Sequence, residues 1–561
     1  MEIRLTESQQ AVPDSAGTSS IFLEGPPGSG KSTVAAAFTR RLAEQGVPAQ
    51  NILILLPQRT LAEPFYQVVH STTFQSGGIP QIVTLSGLSR RMVTLYWPVI
   101  AASAGFQKPD QPPRFLNHET SQFYTALVVR PLLEKGFFDS VTLPPSRLYT
   151  QILNNLSKSA TTGIPYTEIG ERLKSAWSGR PEQLRVYDEV QICINNFRQY
   201  CLDNNLLDFS LTVETFRRQL WDSAPFRDYF YQQFRCLIYD NMEEDVPVTH
   251  DLVREWLPHM DQSFLVYDTG GGYRVFLGAD AESAYTLKQE CPVQQTLSNS
   301  FVKSPQVAHL QQQLSNVMLA EPSKPDSAMV QAALRVETRK YYPEMIDWVS
   351  REVNRLIREE GVSPDQICIV SPFLSDALRF ELSIQFEDLK IPFATHRPSR
   401  SIKEEAAAGC LITLTKLLHP EWRMPIFIFE FRSMLMQAIT GFDLIRADVL
   451  TNIIYRAAVS GQDMPLFNDL PISTQDRISF VIGERYDQLR EFIQQYRDSE
   501  KPPLDTLLTI LFSELLSRPR FGFHTNLDAA ATISHLIESY NSFYHVYVES
   551  LGGQTELAEP E

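Results

Sequence analysis

The chain has 561 residues, 43% of them hydrophobic, so it can bury more than one core and is too long for a single domain. Its net charge of −16 excludes a protein that wraps nucleic acid over its whole surface, although a local basic groove stays compatible with it. The six scattered cysteines lack metal-ligand spacing and no apolar run reaches the roughly 20 residues of a membrane span, so we expect a cytoplasmic protein without a zinc, iron–sulfur or membrane partner.

The first stretch with a chemical signature is Ile21–Thr33, which reads IFLEGPPGSGKST. It predicts an apolar strand, a glycine-rich turn and the start of a helix, and it fits the phosphate-loop pattern. The backbone N–H groups of such a loop curl around a triphosphate, and the positive end of the helix points at the same anion. The residues predicted to hold ATP are Gly25, Pro26, Pro27, Gly28, Ser29, Gly30, Lys31, Ser32 and Thr33. Lys31 is expected to reach the β and γ phosphates, and the Ser32 hydroxyl to ligate Mg²⁺.

Two further strand–helix units are predicted before residue 100. Asn51–Leu56 is an apolar run that ends at Pro57, as in a buried parallel strand, and Ile82–Leu85 predicts another strand. This alternation is typical of a doubly wound parallel sheet, whose ligands bind at the carboxyl ends of the strands. Three arginines follow these strands and are either DNA contacts or part of a solvated helix face: Arg59, Arg90 and Arg91.

Residues 105–230 show long helical patterns, namely His118–Lys135 and Glu182–Asn204, which predict a helical insertion into this sheet. The sheet is expected to resume with the apolar runs Arg235–Asp240 and Ser263–Asp268. Asp240 ends its strand in an acid, where a phosphate-loop enzyme needs a second Mg²⁺ ligand beside Ser32. The alternative is an acid that caps the following helix.

A proline- and serine-rich stretch at Ser304–Ser327 predicts a linker or the first helix of a second α/β part. Its expected strands are Val336–Arg339, Gln366–Pro372 and Ile391–Ala394, and its expected helices are Tyr342–Glu360 and Ala406–Leu418. Beyond about residue 421 the pattern is helical, and the tail Gly552–Glu561 is expected to be disordered.

The order of these parts resembles the UvrD/Rep-like superfamily-one DNA helicases and their RecB and AddB relatives. The stretches that carry the resemblance are Leu5–Gln9, Ile52–Ala62, Thr84–Ser89, Leu207–Phe209, Leu237–Asp245, Val266–Ala279 and Ile391–Phe393. Within the first of them, Gln9 corresponds to the glutamine that reads adenine, a role its amide can fill, although an ordinary surface glutamine would look the same. The resemblance implies ATP and Mg²⁺ as cofactors, single-stranded or partly duplex DNA as partner, and work in repair or recombination.

The resemblance also implies the fold class and the domain organisation. The class is α/β, with two RecA-like P-loop NTPase lobes built on parallel sheets, each with a mostly helical insertion. The expected parts are the first lobe with the phosphate loop at 1–104, its helical insertion at 105–230, the rest of that lobe at 231–303, the second lobe at 304–420 and a helical insertion or C-terminal region at 421–561.

Several positions depart from the family's pattern. Its Asp-Glu-x-Gln-Asp motif becomes Asp240-Asn241-Met242-Glu243-Glu244, and Asn241 cannot act as the general base, whose loss typically costs about 10²–10⁴ in rate. Glu243 and Glu244 can stand in for it, so the predicted catalytic residues are Lys31, Asp240, Glu243 and Glu244. The family's γ-phosphate-sensing Gln falls at Gly271, and the late motif with the arginine finger is not found, so we expect the chain to stop in or just after the second insertion.

Three functions therefore remain open. The first is an ATP-dependent DNA helicase or translocase. The second is a hydrolysis-deficient scaffold or subunit that binds ATP and DNA and is completed by a partner protein with the missing motor motifs. The third is another P-loop NTPase, such as a small-molecule kinase, which the length of the chain disfavours.

Overall fold

The computed structural model describes residues 5–14, 20–72, 78–320, 324–395, 405–524 and 526–550. The predicted disordered tail lies outside this range. The chain divides into two compact units, Met1–Leu334 and Arg335–Glu561. None of the helices in the described ranges is long and apolar enough to cross a membrane.

The first unit contains all the paired strands of the described chain. In chain order they are β1 (Ser20–Gly25), β2 (Ile52–Leu55), β3 (Gln81–Val83), β4 (Arg114–Phe115), β5 (Leu206–Leu207), β6 (Cys236–Tyr239), β7 (Gln262–Asp268) and β8 (Val293–Thr296). Six of them form one sheet in the order β3-β2-β6-β7-β1-β8, with every neighbouring pair parallel, and β4 pairs with β5 in a separate two-stranded sheet. The predicted α/β class with a parallel sheet is therefore confirmed.

Burial on both faces explains why the apolar runs become strands. Every residue of β2 and β6 is buried, as expected for central strands of a parallel sheet covered by helices. The carboxyl ends of β6, β7 and β1 are neighbours because β7 pairs with both β1 and β6. Since parallel strands end at one edge, this order brings the phosphate loop and Asp240 to the same side of the sheet with one strand between them.

Helices cover this sheet and fill the long connection between β3 and β6. They are α1 (Glu7–Asp14), α2 (Lys31–Glu44), α3 (Glu63–Ser71), α4 (Leu85–Ile100), α5 (His118–Leu133), α6 (Pro145–Thr162), α7 (Ile169–Ser175), α8 (Leu184–Asp203), α9 (Phe209–Thr215), α10 (Ala224–Gln233), α11 (Pro247–Trp256), α12 (Ala281–Thr286), α13 (Pro305–Met318) and α14 (Ser327–Ala333). The two long helices predicted within residues 105–230 are confirmed as α5 and α8.

A buried ion network ties α8 to α9. Arg198 of α8 is 1% exposed and lies between Asp208, at 3.2 Å, and Glu214, at 3.3 Å, while it donates to the Ser210 hydroxyl at 3.0 Å. Asp208 also caps α9 by accepting from Leu211 N. The Leu-Asp-Phe stretch that the sequence singled out is therefore the capped start of a helix held by a buried arginine.

The second unit is helical throughout its described part. Its helices are α15 (Tyr342–Arg358), α16 (Asp376–Asp388), α17 (Ala406–Leu418), α18 (Ile428–Ala438), α19 (Leu444–Val459), α20 (Ile472–Ile478), α21 (Phe480–Arg497), α22 (Leu504–Ile510) and α23 (Leu527–Ser550). One apolar core joins α17–α23, and a smaller one joins α15 and α16. The predicted helices at Tyr342–Glu360 and Ala406–Leu418 are confirmed.

The three strands predicted for this unit are not formed. Val336–Arg339, Gln366–Pro372 and Ile391–Ala394 contain no strand in the described residues, and the only bridge there joins Ile439 to Phe521. Parallel strands need partners along their edges and cover on their faces, whereas Val370, inside the second of these runs, is 86% exposed. The short apolar runs indicated strands, but the packing that would stabilise them is missing.

Candidate functional site

The phosphate loop has the predicted strand–turn–helix form. β1 ends at Gly25, and α2 begins at Lys31 after Gly30, whose φ of 80° is left-handed. Gly28 also has a positive φ, 77°, and a Cβ at Gly25 would lie 2.6 Å from the Leu297 carbonyl oxygen. A side chain is therefore excluded at Gly25 by close backbone approach, while left-handed backbone favours glycine at Gly28 and Gly30.

Lys31 lies inside this loop with every ammonium proton occupied. It is 6% exposed, and Nζ donates to the carbonyl oxygens of Gly25 at 2.8 Å and Pro26 at 2.7 Å. The same atom forms an ion pair with Asp268 at 3.0 Å, and Ser29 Oγ lies 3.4 Å away. The lysine is thus placed at the loop, as its predicted role requires, and Asp268 is a partner that the sequence did not reveal.

Asp240 and Ser32 are brought together at the carboxyl end of β6. The Asp240 carboxyl is buried, its Oδ1 accepts from Asn241 N at 3.0 Å, and Oδ2 has no hydrogen-bond partner among the residues that the structure describes. Burial raises the pKa of Asp240 to about 6, although the nearby Ser32 hydroxyl, Asn241 N and the charge of Lys31 oppose the rise. An orphaned carboxylate oxygen beside a hydroxyl fits the ligand set of Mg²⁺, which takes one or two protein oxygens together with phosphate oxygens and water.

No group of three or more His, Cys, Asp or Glu side chains in the described ranges forms a self-sufficient metal cage.

Glu243 and Glu244 follow on a short 3₁₀ turn and have different surroundings. The Glu244 carboxylate accepts three backbone N–H bonds, from Gly272, Tyr273 and Arg274 at 2.8–3.1 Å, which commits it to holding the loop after β7. Glu243 is 1% exposed and accepts one backbone bond, from Asp268 N at 3.0 Å. Of the two predicted substitutes for a catalytic base, Glu243 is the one whose carboxylate is not committed to the loop after β7.

Asn241 and Gly271 depart from the family's pattern for local reasons. Asn241 has a φ of 55°, in the left-handed region that asparagine tolerates better than glutamate does. A Cβ at Gly271 would lie 2.8 Å from Glu243 Cγ, so Glu243 fills the space that a side chain at Gly271 would need. The absence of a side chain at Gly271 therefore leaves room for the buried side chain of Glu243.

Gln9 of α1 is hydrogen-bonded to the backbone of the phosphate loop. Its amide nitrogen donates to Ser29 O at 3.0 Å and its amide oxygen accepts from Thr6 N at 3.0 Å, and the residue is 5% exposed. A Cβ at Gly30 would lie 2.3 Å from its Nε2. Adenine reading by Gln9 stays a prediction, and the amide has a second N–H and a second lone pair for it beyond these two bonds.

The remaining predicted residues lie around the loop. Pro27 packs near Gly270, where a Cβ would lie 3.0 Å from the proline ring, and Thr33 is half-buried in the first turn of α2. Arg59, Arg90 and Arg91 are exposed, and the Arg90 guanidinium stacks over the Phe115 ring at 4.7 Å. The arginines are therefore accessible, while their role as DNA contacts remains a prediction.

Two features of the site were missed from the sequence. Asp268 stands at the carboxyl end of an apolar run, as Asp240 does, and this signal could have identified it. The segment Leu297–Val302 after β8 closes on the loop, because Ser300 Oγ donates to Pro27 O at 2.8 Å and Phe301 N donates to Gly28 O at 2.9 Å. The strand β8, which precedes this segment, is mostly polar, so the sequence did not predict it as a strand.

Comparisons with known proteins add no family to this geometry. No protein-family model matches the chain, and no curated protein matches it significantly.

The buried Glu243 predicts how the stability of the first unit depends on pH. Burial, followed by the carboxylates of Asp268 and Asp240, raises the pKa of Glu243 from 4.5 to about 7 against the hydrogen bond from Asp268 N. Because the folded pKa is the higher one, the protonated carboxyl favours folding below about pH 4.5, and this contribution is lost as the pH rises through about 7. The free energy of unfolding of Glu243→Gln, relative to that of wild type, should therefore increase by about 1–3 kcal/mol between pH 5 and pH 8.

Urea unfolding at the two pH values, without nucleotide or Mg²⁺, measures this difference. Glu282→Gln, an exposed acid on α12, is the control and should give the same difference from wild type at both pH values. An equal response of the two variants would contradict the assignment of a protonated Glu243.

Proposed function

We propose that the chain binds Mg²⁺·ATP at the loop Gly25–Thr33 and hydrolyses it in a reaction coupled to single-stranded DNA. The observation that carries the proposal is the pairing of a phosphate loop with an acid two strands away. Lys31 lies inside the loop, and the buried, unpaired Oδ2 of Asp240 lies beside Ser32. This combination of a positive charge, a hydroxyl and an orphaned carboxylate suits a nucleoside triphosphate with its metal ion.

The chemistry follows from the residues in place. Lys31 would neutralise charge on the β and γ phosphates, and the N-terminus of α2 would add its dipole. Ser32 and Asp240 would hold Mg²⁺, which supplies charge neutralisation on the phosphate oxygens when it is bound. Glu243, with a pKa of about 7, would orient the attacking water and take its proton near neutral pH.

The DNA part of the proposal rests on the resemblance to superfamily-one helicases. The order of the motifs and the exposed arginines after β2 and β3 support it. A second RecA-like lobe belongs to the same proposal, since helices α15–α17 occur in the expected order although the expected strands between them are not paired. Work in repair or recombination is proposed on the same grounds.

A second candidate is a hydrolysis-deficient scaffold or subunit that binds ATP and DNA. Asn241 in place of an acid, and a Glu244 carboxylate committed to three backbone bonds, favour this alternative. In that case a partner protein supplies the missing arginine, and the chain alone binds nucleotide without turning it over.

The two candidates are separated by ATP hydrolysis measured with and without single-stranded DNA. The motor predicts turnover that DNA stimulates, and that both Lys31→Ala and Glu243→Gln reduce by about 10²-fold or more. The scaffold predicts Lys31-dependent binding without turnover. DNA-stimulated turnover that survives Lys31→Ala would contradict both.

A further inference from the structure

Asp268 holds Lys31 at the carboxyl edge of the sheet and has no assigned role. Its Oδ2 lies 3.0 Å from Lys31 Nζ, and its side chain is 16% exposed. An ammonium group has three protons, and those of Lys31 are taken by Asp268, Gly25 O and Pro26 O. A phosphate oxygen can therefore reach Lys31 only if one of these partners withdraws.

Of the three partners, Asp268 is the one that a phosphate can replace. The Gly25 and Pro26 carbonyls belong to the loop backbone, and Gly25 O is held further by Thr269 N at 3.0 Å. The Asp268 carboxylate belongs to a side chain, and it carries the same negative charge as a phosphate. Exchanging one charged acceptor for another keeps Lys31 neutralised, whereas leaving both in place would crowd negative charge around one ammonium group.

The backbone holds Asp268 ready for this role. Gly270 N donates to its Oδ1 at 2.8 Å in a tight turn, and Gly271 N donates to its carbonyl oxygen at 3.2 Å. The register of the sheet sets Asp268 opposite Gly25, the last residue of β1. The carboxylate is therefore fixed in place at little cost in side-chain entropy.

Asp268 is also joined to the proposed catalytic acid. Its backbone N–H donates to Glu243 Oε2 at 3.0 Å, so one residue contacts both the phosphate-binding lysine and the acid that would activate water.

We infer that Asp268 is a latch that occupies Lys31 in the nucleotide-free protein and that the phosphates of ATP must displace it. The inference rests on the proposed nucleotide site and adds its regulation. Asp268 acts here as a positioning residue, because it works through Lys31 and not on the reacting atoms. Removal of the Asp268 carboxylate should strengthen nucleotide binding, whereas substitution of Lys31 should weaken it.

The test is equilibrium titration of the full chain with a fluorescent ATP analogue in the presence of Mg²⁺. Asp268→Asn keeps an oxygen for Gly270 N and removes the charge that holds Lys31, so affinity should rise on the order of tenfold. Asp268→Ser, which can form a similar turn, should behave alike. Asp268→Glu restores the carboxylate and should return the affinity to within about threefold of wild type, given the spread of such contacts.

The matched control is Asp280→Asn, which removes the same charge from the N-cap of α12 while keeping an oxygen for Ser283 N. Its affinity should equal that of wild type.

The latch is contradicted if Asp268→Asn and Asp268→Ser bind nucleotide as wild type does, or more weakly, while wild-type binding still depends on Lys31. If the melting temperature of Asp268→Asn is well below that of wild type, the nucleotide affinity of Asp268→Ser decides the test. The proposed nucleotide site itself fails by a different result, namely binding that is absent in wild type or unchanged in Lys31→Ala.

Discussion

Replacing Arg198 by alanine is expected to destabilise the first unit by about 3–5 kcal/mol, because the change leaves the buried Asp208 without its counter-charge and leaves the half-buried Glu214 with Arg218 alone. Arg198 is 1% exposed, contacts Asp208 and Glu214, and lies over the Tyr166 ring at 5.0 Å. Asp208 is 3% exposed and cannot recover its lost partner from water. This is a large part of the roughly 5–15 kcal/mol that stabilises a typical domain.

Urea unfolding gives the free energy, and an exposed pair of the same insertion provides the control. Arg172 of α7 pairs with Glu168 at 3.1 Å, and the two side chains are 57% and 49% exposed. Exposed pairs are worth about 0–1 kcal/mol, so Arg172→Ala should have a small effect. If both variants lost the same free energy, the buried network would not be a principal support of the insertion.

Replacing Asp240 by asparagine is expected to reduce Mg²⁺-dependent ATP hydrolysis by about 10²-fold or more, since metal charge stabilisation is worth several kcal/mol. The buried Oδ2 of Asp240 has no hydrogen-bond partner within the described ranges, which is the state expected of an oxygen that binds a cation. An amide nitrogen at this position cannot ligate a cation. Folding should suffer little, because asparagine can keep the acceptor for Asn241 N and removes a carboxyl whose burial raises its pKa to about 6.

Asp245 gives the opposite pattern and serves as the comparison. It is equally buried, but its carboxylate accepts from Tyr239 Oη, Val246 N and Thr249 Oγ1. Asp245→Asn should therefore lower the melting temperature and leave the Mg²⁺ concentration needed for half-maximal hydrolysis unchanged. Asp240→Asn should raise that concentration and leave the melting temperature close to wild type. The metal assignment would be wrong if Asp240→Asn kept the wild-type Mg²⁺ dependence.

The central strands and the phosphate loop could be predicted because local sequence determines them. The runs that became β1, β2, β6 and β7 are apolar enough to require burial on two faces. The glycines of the loop mark positions where backbone conformation or close approach excludes a side chain. Asp240 was found by its place at the end of a strand.

The contacts that complete the site depend on strand order, which periodicity does not report. Lys31 and Asp268 are 237 residues apart and meet because β7 pairs with β1. The edge strand β8 has one apolar residue, Val293, followed by three polar ones, so no apolar run reveals it. The same limit explains the wrong strands of the second unit, since an apolar run such as 367–370 predicts a strand only if partners exist to pair with it.

The distinction between Glu243 and Glu244 also needed three-dimensional contacts. The two residues are adjacent and chemically identical, and both are candidates for a missing base. Only the fold shows that Glu244 holds three backbone N–H groups of the loop after β7 while the Glu243 carboxylate lies beside Asp268 and Gly271.

The most direct test of a nucleotide site at this loop is calorimetric titration of Mg²⁺·ATP into wild type, Lys31→Ala and Lys288→Ala. Lys288 is the matched control, because it forms a similar ion pair with Glu24 at 3.0 Å outside the phosphate loop. We predict one site per chain, an affinity at least tenfold weaker in Lys31→Ala, as expected for loss of a charge-assisted contact, and no change in Lys288→Ala. Equal binding by wild type and Lys31→Ala, or no binding by wild type, would contradict the account.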